Sequence, residues 1–446
     1  MKKNIVILGG GESGVGAALL AKHQNFTVFL SEGGRLGERF KNELIENDIS
    51  FEEGGHNLEI ILNADEIIKS PGIPESAEIV KKVRSAGILL MSEIEFASRY
   101  KGESKIVAVT GSNGKTTTTS LIYHICKHAG KDCAMVGNIG FSFARQVASK
   151  PKDLYIAEVS SFQLDDIQTF RPDVAVITNI TEDHLDRYEY KAENYIKSKF
   201  NIVKYQTETD VFIYNMDDET TKNNLNNYPV KSIKAPITMS KELPQGVYLE
   251  NNEMKLKWKK EEMEMNVGDF ALKGKHNQYN SMFASLATMV LDIRKDKIRE
   301  ALQTFESLEH RMEPAGMVKG VEFINDSKAT NINSTWFALE SMTKPVILIL
   351  GGIDKGNDYS LLHDLVKEKV KAIVCMGTDN MKIHESFGDI VPLMVSTDNA
   401  KDAVLSAFHF ANKGDVILLS PACASFDLFK NYEDRGNQFK QAIKEL

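Results

Sequence analysis

Short runs of β-branched and aliphatic residues alternate with helical patterns along nearly the whole chain. Ile5–Leu8, Phe26–Leu30, Ile106–Val109, Leu154–Val159, Val174–Thr178, Val346–Leu350, Ala372–Met376 and Val416–Leu419 each read as a strand. These runs are continuously apolar rather than alternating, the pattern of strands covered on both faces of a parallel sheet. Between them apolar residues recur at helical spacing, as at Leu121, Ile122, Ile125, Cys126 and Ala129. The predicted class is α/β, repeated in three units.

One region departs from this rhythm. Residues 217–268 are rich in Asn, Lys and Glu, and their apolar residues alternate. Val247–Glu250, the pair Asn251-Asn252 and Met254–Trp258 read as a hairpin, with Met263 and Met265 continuing the alternation. A small antiparallel appendage on the middle unit is expected. Met91–Arg99 reads as a helix, so the first domain is expected to span 1–92. Ile298–Phe305 reads as the last helix of a middle domain over 93–307, and His310–Glu313 opens a third over 308–446.

At 446 residues the length agrees with about three domains. The net charge of −8 argues against general nucleic-acid binding, which needs a basic face. Cys126, Cys133, Cys375 and Cys423 stand far apart with no Cys-x-x-Cys, which suggests a reducing cytosol without disulfides or a cysteine zinc site. The apolar run at the start stops after Leu8 at three glycines, so it reads as a strand entering a loop rather than a leader. No apolar stretch is long enough to span a membrane.

Thr110-Gly-Ser-Asn-Gly-Lys-Thr-Thr-Thr-Thr119 joins the strand Ile106–Val109 to a helix. Strand, Gly-Lys-Thr loop and helix make a nucleotide phosphate cradle: curled backbone N–H groups and the helix N-terminus favour anions. Gly111, Ser112, Asn113, Gly114, Lys115, Thr116 and Thr117 are the candidate phosphate-binding residues. Lys115 reaches the β/γ-phosphates and the Thr116 hydroxyl can hold Mg²⁺. Val109 stands where the strict pattern wants a glycine, so the loop is a shortened variant; an ordinary strand–helix turn is the competing reading. A second glycine loop, Gly9, Gly11 and Gly14, follows Ile5–Leu8, with Glu32 at the end of the next strand. Alone this is compatible with a dinucleotide site. A pyrophosphate-bearing ligand other than NAD accommodates both loops, and Ser70-Pro-Gly-Ile-Pro74 can close over the same ligand.

Ligands in open α/β sheets gather at the carboxyl ends of strands. There the sequence supplies Glu158 after Leu154–Ala157, and Asn179 to Asp186, including His184, after Val174–Ile177. Glu158 is a natural Mg²⁺ ligand and His184 a less usual one. The helical segment Tyr195–Ile202 carries Lys197 and Lys199, which read by themselves as solvated surface groups.

Thr110–Thr118, with Gly137-Asn-Ile-Gly140, Glu158–Gln163, Asn179–Asp186 and His310–Glu313, resembles the Mur ligases, ATP-dependent amide ligases of bacterial cell-wall precursor synthesis. The third-domain stretches Asn325–Asn331, Gly351–Gly356, Leu419–Asp427 and Phe429–Gly436 are similar to those of the D-glutamate-adding branch. The resemblance implies a Rossmann-like N-terminal domain that binds a UDP-sugar, a P-loop ATPase-like central domain and a Rossmann-like C-terminal domain. It implies ATP and Mg²⁺, with Thr116, Glu158, His184 and Lys199 at the metals and Lys199 carried as a carbamate. Lys115, His184, Lys199 and Lys328 take the catalytic roles; Asn280, Arg311 and Asp326 join the phosphate loop in binding ATP. Glu12, Ser13, Ser31, Glu32, Gly72, Asn138, Ser160 and Gln163 face the UDP-sugar, and Thr330, Lys355, Ser425 and Phe426 the D-glutamate. The expected partners are thus small molecules, UDP-N-acetylmuramoyl-L-alanine, D-glutamate and ATP. Neither nucleic acid nor membrane is expected, and the chain is expected to act as a cytoplasmic monomer.

Four positions depart from the family pattern. Ser31 stands where an aspartate is common, so the uridine contact is expected from Glu32 or from backbone. Glu12-Ser13 replaces an apolar residue and Thr, and Tyr432 replaces Phe. The implied chemistry is phosphoryl transfer to a carboxylate, then attack of the amino-acid amine on the acyl phosphate. A sibling ligase for another amino acid, a NAD-dependent dehydrogenase and a non-catalytic nucleotide-gated binding protein are the alternatives.

Overall fold

The computed structural model describes residues 2–183, 185–305, 309–354 and 356–446, with all side chains of these except those of Asp186 and Asn333. Three sheets carry the chain. The first contains β1 (Asn4–Leu8), β2 (Thr27–Glu32), β3 (Ser50–Glu53), β4 (Glu66–Lys69) and β5 (Leu89–Ser92), all parallel, in the order β3-β2-β1-β4-β5. The strand order reverses beside β1, so the first glycine loop opens at the switch point where such sheets take ligands.

The second sheet contains β6 (Lys105–Thr110), β7 (Cys133–Gly137), β8 (Leu154–Glu158), β9 (Val174–Ile177), β10 (Val211–Asn215), β11 (Ile233–Thr238), β12 (Gly246–Glu250), β13 (Glu253–Trp258) and β14 (Glu261–Asn266). Its order is β14-β13-β12-β11-β10-β9-β6-β8-β7. The central strand β6 lies between β8 and β9, and every pair from β7 to β12 is parallel. β12, β13 and β14 pair antiparallel, and Asn251 and Asn252 both take positive φ in the turn between the first two. The alternating segment is the antiparallel addition to the middle unit that its pattern predicts. β12 pairs with β11, so the meander extends the main sheet; Val247, Met254, Leu256, Met263 and Met265 are its buried residues.

The third sheet contains β15 (Glu313–Val318), β16 (Val321–Asn325), β17 (Val346–Leu350), β18 (Val370–Met376), β19 (Met394–Thr397) and β20 (Val416–Leu419), in the order β15-β16-β20-β17-β18-β19. Only β15 runs antiparallel. Strand β17, Val-Ile-Leu-Ile-Leu, is wholly buried, as a continuous apolar run between helical layers should be. The segment read as a helix from Met91 is strand to Ser92 and helix over Glu93–Ser98. All four cysteines are free and buried. Among the described residues no helix is long and apolar enough to cross a membrane.

The chain forms two compact units. One comprises Met1–Ala271 with Asn277–Phe305, the other Leu272–His276 with Glu306–Leu446. The first two sheets share a unit because a single apolar cluster runs from Ile5 and Val15 through Phe96 and Phe143 to Phe212. Polar ties reinforce it. Arg145, in the helix Phe143–Ser149, grips Glu12 at 2.6 Å and also Glu43. The buried Glu95 carboxylate accepts the backbone N–H groups of Gln168, Thr169 and Phe170 at 2.8–2.9 Å, and the Arg99 guanidinium at 3.0 Å.

Burial alone would raise the Glu95 carboxyl, but these donors outweigh it and hold it below its ordinary value of 4.5. A depressed folded value stabilises the fold above the unfolded value, and that stabilisation disappears as pH falls through the folded one. Glu95→Gln is therefore expected to lower stability at pH 7 by about 3 kcal/mol. In calorimetric melts the gap from the parent should narrow below about pH 4.5; a gap that stays constant to pH 3 would refute this account.

Candidate active site

β6 ends at Thr110 and the helix Lys115–His128 begins just beyond Gly114, leaving Gly111–Gly114 as the loop at the second sheet's centre. Gly111 has φ +146°, and a Cβ there would lie 1.9 Å from Thr178 Oγ1. Gly114, φ +82°, is the N-cap and supplies no side-chain cap to the helix start. An uncapped helix start directs N–H groups and partial positive charge at whatever lies before it. Neighbouring segments hold the loop in shape. Ser112 N–H donates to Asn179 O at 2.9 Å, Asn113 N–H to Asn179 Oδ1 at 3.0 Å, and Thr178 Oγ1 to Asn113 O at 2.6 Å. The Ser112 hydroxyl donates to Thr181 O at 2.7 Å, so its 3.0 Å contact with Tyr195 is one in which the phenol donates. Asn280 lies against the helix, its Oδ1 accepting the Thr118 hydroxyl at 3.1 Å.

The Lys115 ammonium donates to Gly111 O and Ser112 O, both at 2.8 Å. Lys199, from the helix Ala192–Phe200, donates to the same Gly111 carbonyl at 2.8 Å and lies 4.5 Å from the centre of the Tyr195 ring. It is buried, not the solvated surface group its sequence context suggests. Burial first, then the Lys115 charge, hold the Lys199 amine well below its ordinary 10.5, against the pull of Asp183 and Asp165. Glu158 is buried at the end of β8, beside Val109. Asn138 Nδ2 donates to its Oε1 at 2.8 Å, while its buried Oε2 has no hydrogen-bond partner among the described residues. A buried carboxylate oxygen left open beside a phosphate loop suits a divalent cation. His184 lies outside the described residues.

Ser160 and Gln163 form a capping box at the start of the helix Ser161–Asp165, with Gln163 Oε1 accepting both the Ser160 N–H and hydroxyl at 2.9 and 3.0 Å. Between these two residues Phe162 carries the Arg187 guanidinium 4.4 Å from its ring centre. Arg187 also donates to the carbonyls of Pro71 at 3.0 Å and Gly72 at 2.6 Å. Phe162 stacks on Tyr188, and Tyr188 packs on Tyr195, the residue that holds Ser112. A continuous aromatic row thus connects the Gly72 loop of the first sheet to the phosphate loop of the second.

In the first sheet, Glu32 accepts the backbone N–H of Gly10 at 2.6 Å and of Gly34 at 2.7 Å. Ser31 is fully buried, bonded to Glu52 at 2.6 Å and His56 at 2.7 Å. Glu12 is engaged by Arg145, and Ser13 is half-buried beside it at the start of the helix Glu12–His23. Several residues nominated for a UDP-sugar therefore already serve the fold.

The other unit gathers Arg311, Asp326 and Lys328 at the end of β16. Burial pushes the Asp326 carboxyl up to about 7, although Ser420 donates to it at 2.9 Å and Arg311 lies near. Lys328 donates to the Tyr432 hydroxyl at 2.9 Å and lies over its ring. Thr330 is half-buried, Ser425 buried and Phe426 exposed; Lys355 lies outside the described residues. The sequence reading did not single out Arg435. It is buried and donates to the carbonyls of Ser327 at 2.8 Å and Cys423 at 3.2 Å, which fixes two of these loops together. A lone arginine in a helical pattern gives no signal of such burial. The loop-supporting roles of Tyr195 and Asn179 carry no sequence signal either, because each acts on a partner distant in the chain.

Family models match three stretches of the chain: a MurD N-terminal domain over residues 4–79, a Mur ligase middle domain over 109–288, and a Mur ligase, glutamate ligase domain over 310–423. The UDP-N-acetylmuramoylalanine--D-glutamate ligase of Christiangramia forsetii is 50% identical over 446 residues, all of both chains. The enzyme of the same name from Bacteroides thetaiotaomicron is 49% identical over 445 residues, again covering both chains in full. Among solved structures, a pseudomurein peptide ligase type C from Methanothermus fervidus shares the fold with TM-score 0.63, at 19% identity and full coverage of both chains. With a cradle for nucleotide phosphates, an open carboxylate beside it and relatives matched end to end, this chain belongs to the Mur ligase family.

Proposed function

We propose that this protein joins D-glutamate to the L-alanine carboxylate of UDP-N-acetylmuramoyl-L-alanine at the expense of ATP, in peptidoglycan precursor synthesis. The observation that carries this reading is the uncapped helix start at Gly114, with Lys115 and the open Glu158 oxygen beside it; the end-to-end relatives supply the substrates. The chain acts as a cytoplasmic monomer in three functional domains, 1–92, 93–307 and 308–446. The first takes the UDP-sugar, the second the ATP phosphates and the third the amino acid.

In the first step a carboxylate oxygen of the sugar nucleotide takes the γ-phosphoryl group and ADP leaves. Lys115 turns from its own loop carbonyls to the phosphates, while the loop N–H groups hold the anion in line. The residues that would hold Mg²⁺ are Thr116, Glu158 and His184, and the ion would neutralise charge on the transferring group. In the second step the D-glutamate amine attacks the acyl carbon, the C–O bond to phosphate breaks, and the amine proton passes to solvent or base. Lys115 and Lys328 stabilise the tetrahedral oxyanion. Arg311, Asp326 and Asn280 serve the adenine nucleotide. Asn138, Ser160 and Gln163 serve the muramoyl group, and Thr330, Lys355, Ser425 and Phe426 the amino acid.

Lys199 is carried as a carbamate. Burial holds its amine well below the ordinary value of 10.5, which favours the neutral form that attacks CO₂. A C–N bond forms, one proton leaves, and an anionic oxygen ligand replaces the amine beside Lys115.

Phosphate release with ATP and UDP-N-acetylmuramoyl-L-alanine should depend on D-glutamate and not on L-glutamate, meso-diaminopimelate or L-lysine. Equal release with any of those would sink the substrate assignment. Lys199→Ala should lose about 10²- to 10³-fold in kcat, the size of a lost electrostatic group, and recover in part with added acetate or formate. Full activity in that variant would remove the carbamate. Gly111→Ala forces a Cβ against Thr178 and strains the loop. It should cut kcat/KM for ATP by about 100-fold or more, a misplacement effect, and wild-type turnover would show that the loop tolerates it.

A further inference from the structure

The first glycine loop raises a question that its nominated residues do not answer. Ser31 has no exposed surface, and Glu32 spends both oxygens on the backbone N–H groups of Gly10 and Gly34. Ser31 is thus not left to read a nucleoside at the carboxyl end of β2, and Glu32 is held to the loop backbone.

The Ser31 cluster points to another residue. Ser31 Oγ lies 2.6 Å from Glu52 Oε1 and 2.7 Å from His56 Nδ1. A hydroxyl has one proton, and a carboxylate only accepts. The proton therefore goes to Glu52, and Ser31 Oγ accepts from His56 Nδ1–H. Glu52 is itself fixed, its Oε1 also accepting the Asn57 N–H at 2.8 Å. This pairing sets the tautomer of the neutral ring: Nδ1 carries the hydrogen and Nε2 is an acceptor. Nε2 lies over the loop that follows β2, where a Cβ on Gly33 would come within 3.0 Å of it. Among the described residues it has no hydrogen-bond partner, and the ring is only half-buried. The imidazole is thus locked on its inner side and open on its outer side, at the sheet end where a nucleoside binds in this architecture.

We propose that His56 is a specificity-determining residue for the sugar nucleotide, its Nε2 accepting a hydrogen bond from the nucleoside. The donor is either the imide N3–H of uracil or a ribose hydroxyl. This rests on the nucleotide-sugar reading of the first domain. Ser31 and Glu52 act through His56 as positioning residues. Glycine at position 33 leaves room for the ring edge.

The test separates the inner bond from the outer one. In His56→Asn the amide nitrogen can replace Nδ1 toward Ser31, but nothing replaces Nε2. In His56→Gln the amide oxygen can replace Nε2. His56→Asn should raise KM for UDP-N-acetylmuramoyl-L-alanine roughly three- to tenfold, the worth of one neutral hydrogen bond. Its melting temperature, kcat at saturation and KM for ATP and D-glutamate should stay at parental values. His56→Gln should recover part of the loss. An N3-methyluridine analogue and a 2′-deoxyuridine analogue identify the donor. The parent should discriminate against one of them, and His56→Asn should not. Parental KM in His56→Asn, or undiminished discrimination against both analogues, would overturn the proposal. An equal rise in all three KM values, or a lowered melting temperature, would overturn it as well by making the role structural. Failure of the parent to turn over UDP-N-acetylmuramoyl-L-alanine would instead sink the nucleotide-sugar reading itself.

Discussion

Two lysine side chains converge on one backbone carbonyl, that of Gly111. Much of the central site follows from this. Two ammonium groups this close each make the other's charge more costly. Lys115 sits at the start of a helix, where a phosphate is expected. Lys199 is enclosed between the Tyr195 ring and the loop, and gives up its proton readily. A nucleotide phosphate at Lys115 and the carbamate proposed at Lys199 would each relieve this crowding of positive charge.

The Gly111 carbonyl can play this part only because the loop shape is imposed from outside. Thr178, Asn179 and Thr181 bind two consecutive loop residues, Ser112 and Asn113, and Tyr195 anchors Ser112. The same aromatic row reaches Phe162 and Arg187, and through them the carbonyls of Pro71 and Gly72. Loop order in the second sheet is thus coupled by direct contact to loop order in the first. The shared apolar core makes such coupling stiff, since close-packed interiors transmit displacement rather than absorb it.

Elsewhere, charged residues near the first glycine loop serve architecture. Arg145 neutralises Glu12 and Glu43 at once, and Glu32 ties the loop through Gly10. A carboxylate at the start of a helix that should receive a diphosphate would repel it; paired with an arginine it does not. Glu12, a departure from the family pattern, is matched by a partner far along the chain, so the departure keeps the loop's charge balance.

Strand runs, the phosphate loop and the strand-end carboxylate were legible in the sequence because each is a local property. Apolar continuity marks burial, glycines mark a tight turn, and a polar residue after a strand marks a sheet edge. β17 and β20 fall where the pattern puts them, and Glu158 stands at the edge it predicted. What only the tertiary structure decided is what each side chain has left to offer. Ser31 and Glu32 read as open polar residues in the sequence, while the fold ties Ser31 to Glu52 and His56, and Glu32 to the backbone of Gly10 and Gly34. Lys199 reads as a surface lysine until Tyr195 and Gly111 enclose it. Arg435 reads as one helical arginine until the carbonyls of Ser327 and Cys423 surround it. Hydrogen-bond capacity and desolvation depend on partners tens to hundreds of residues away. A single chain's pattern therefore shows where chemistry gathers, and folding determines which atoms remain to perform it.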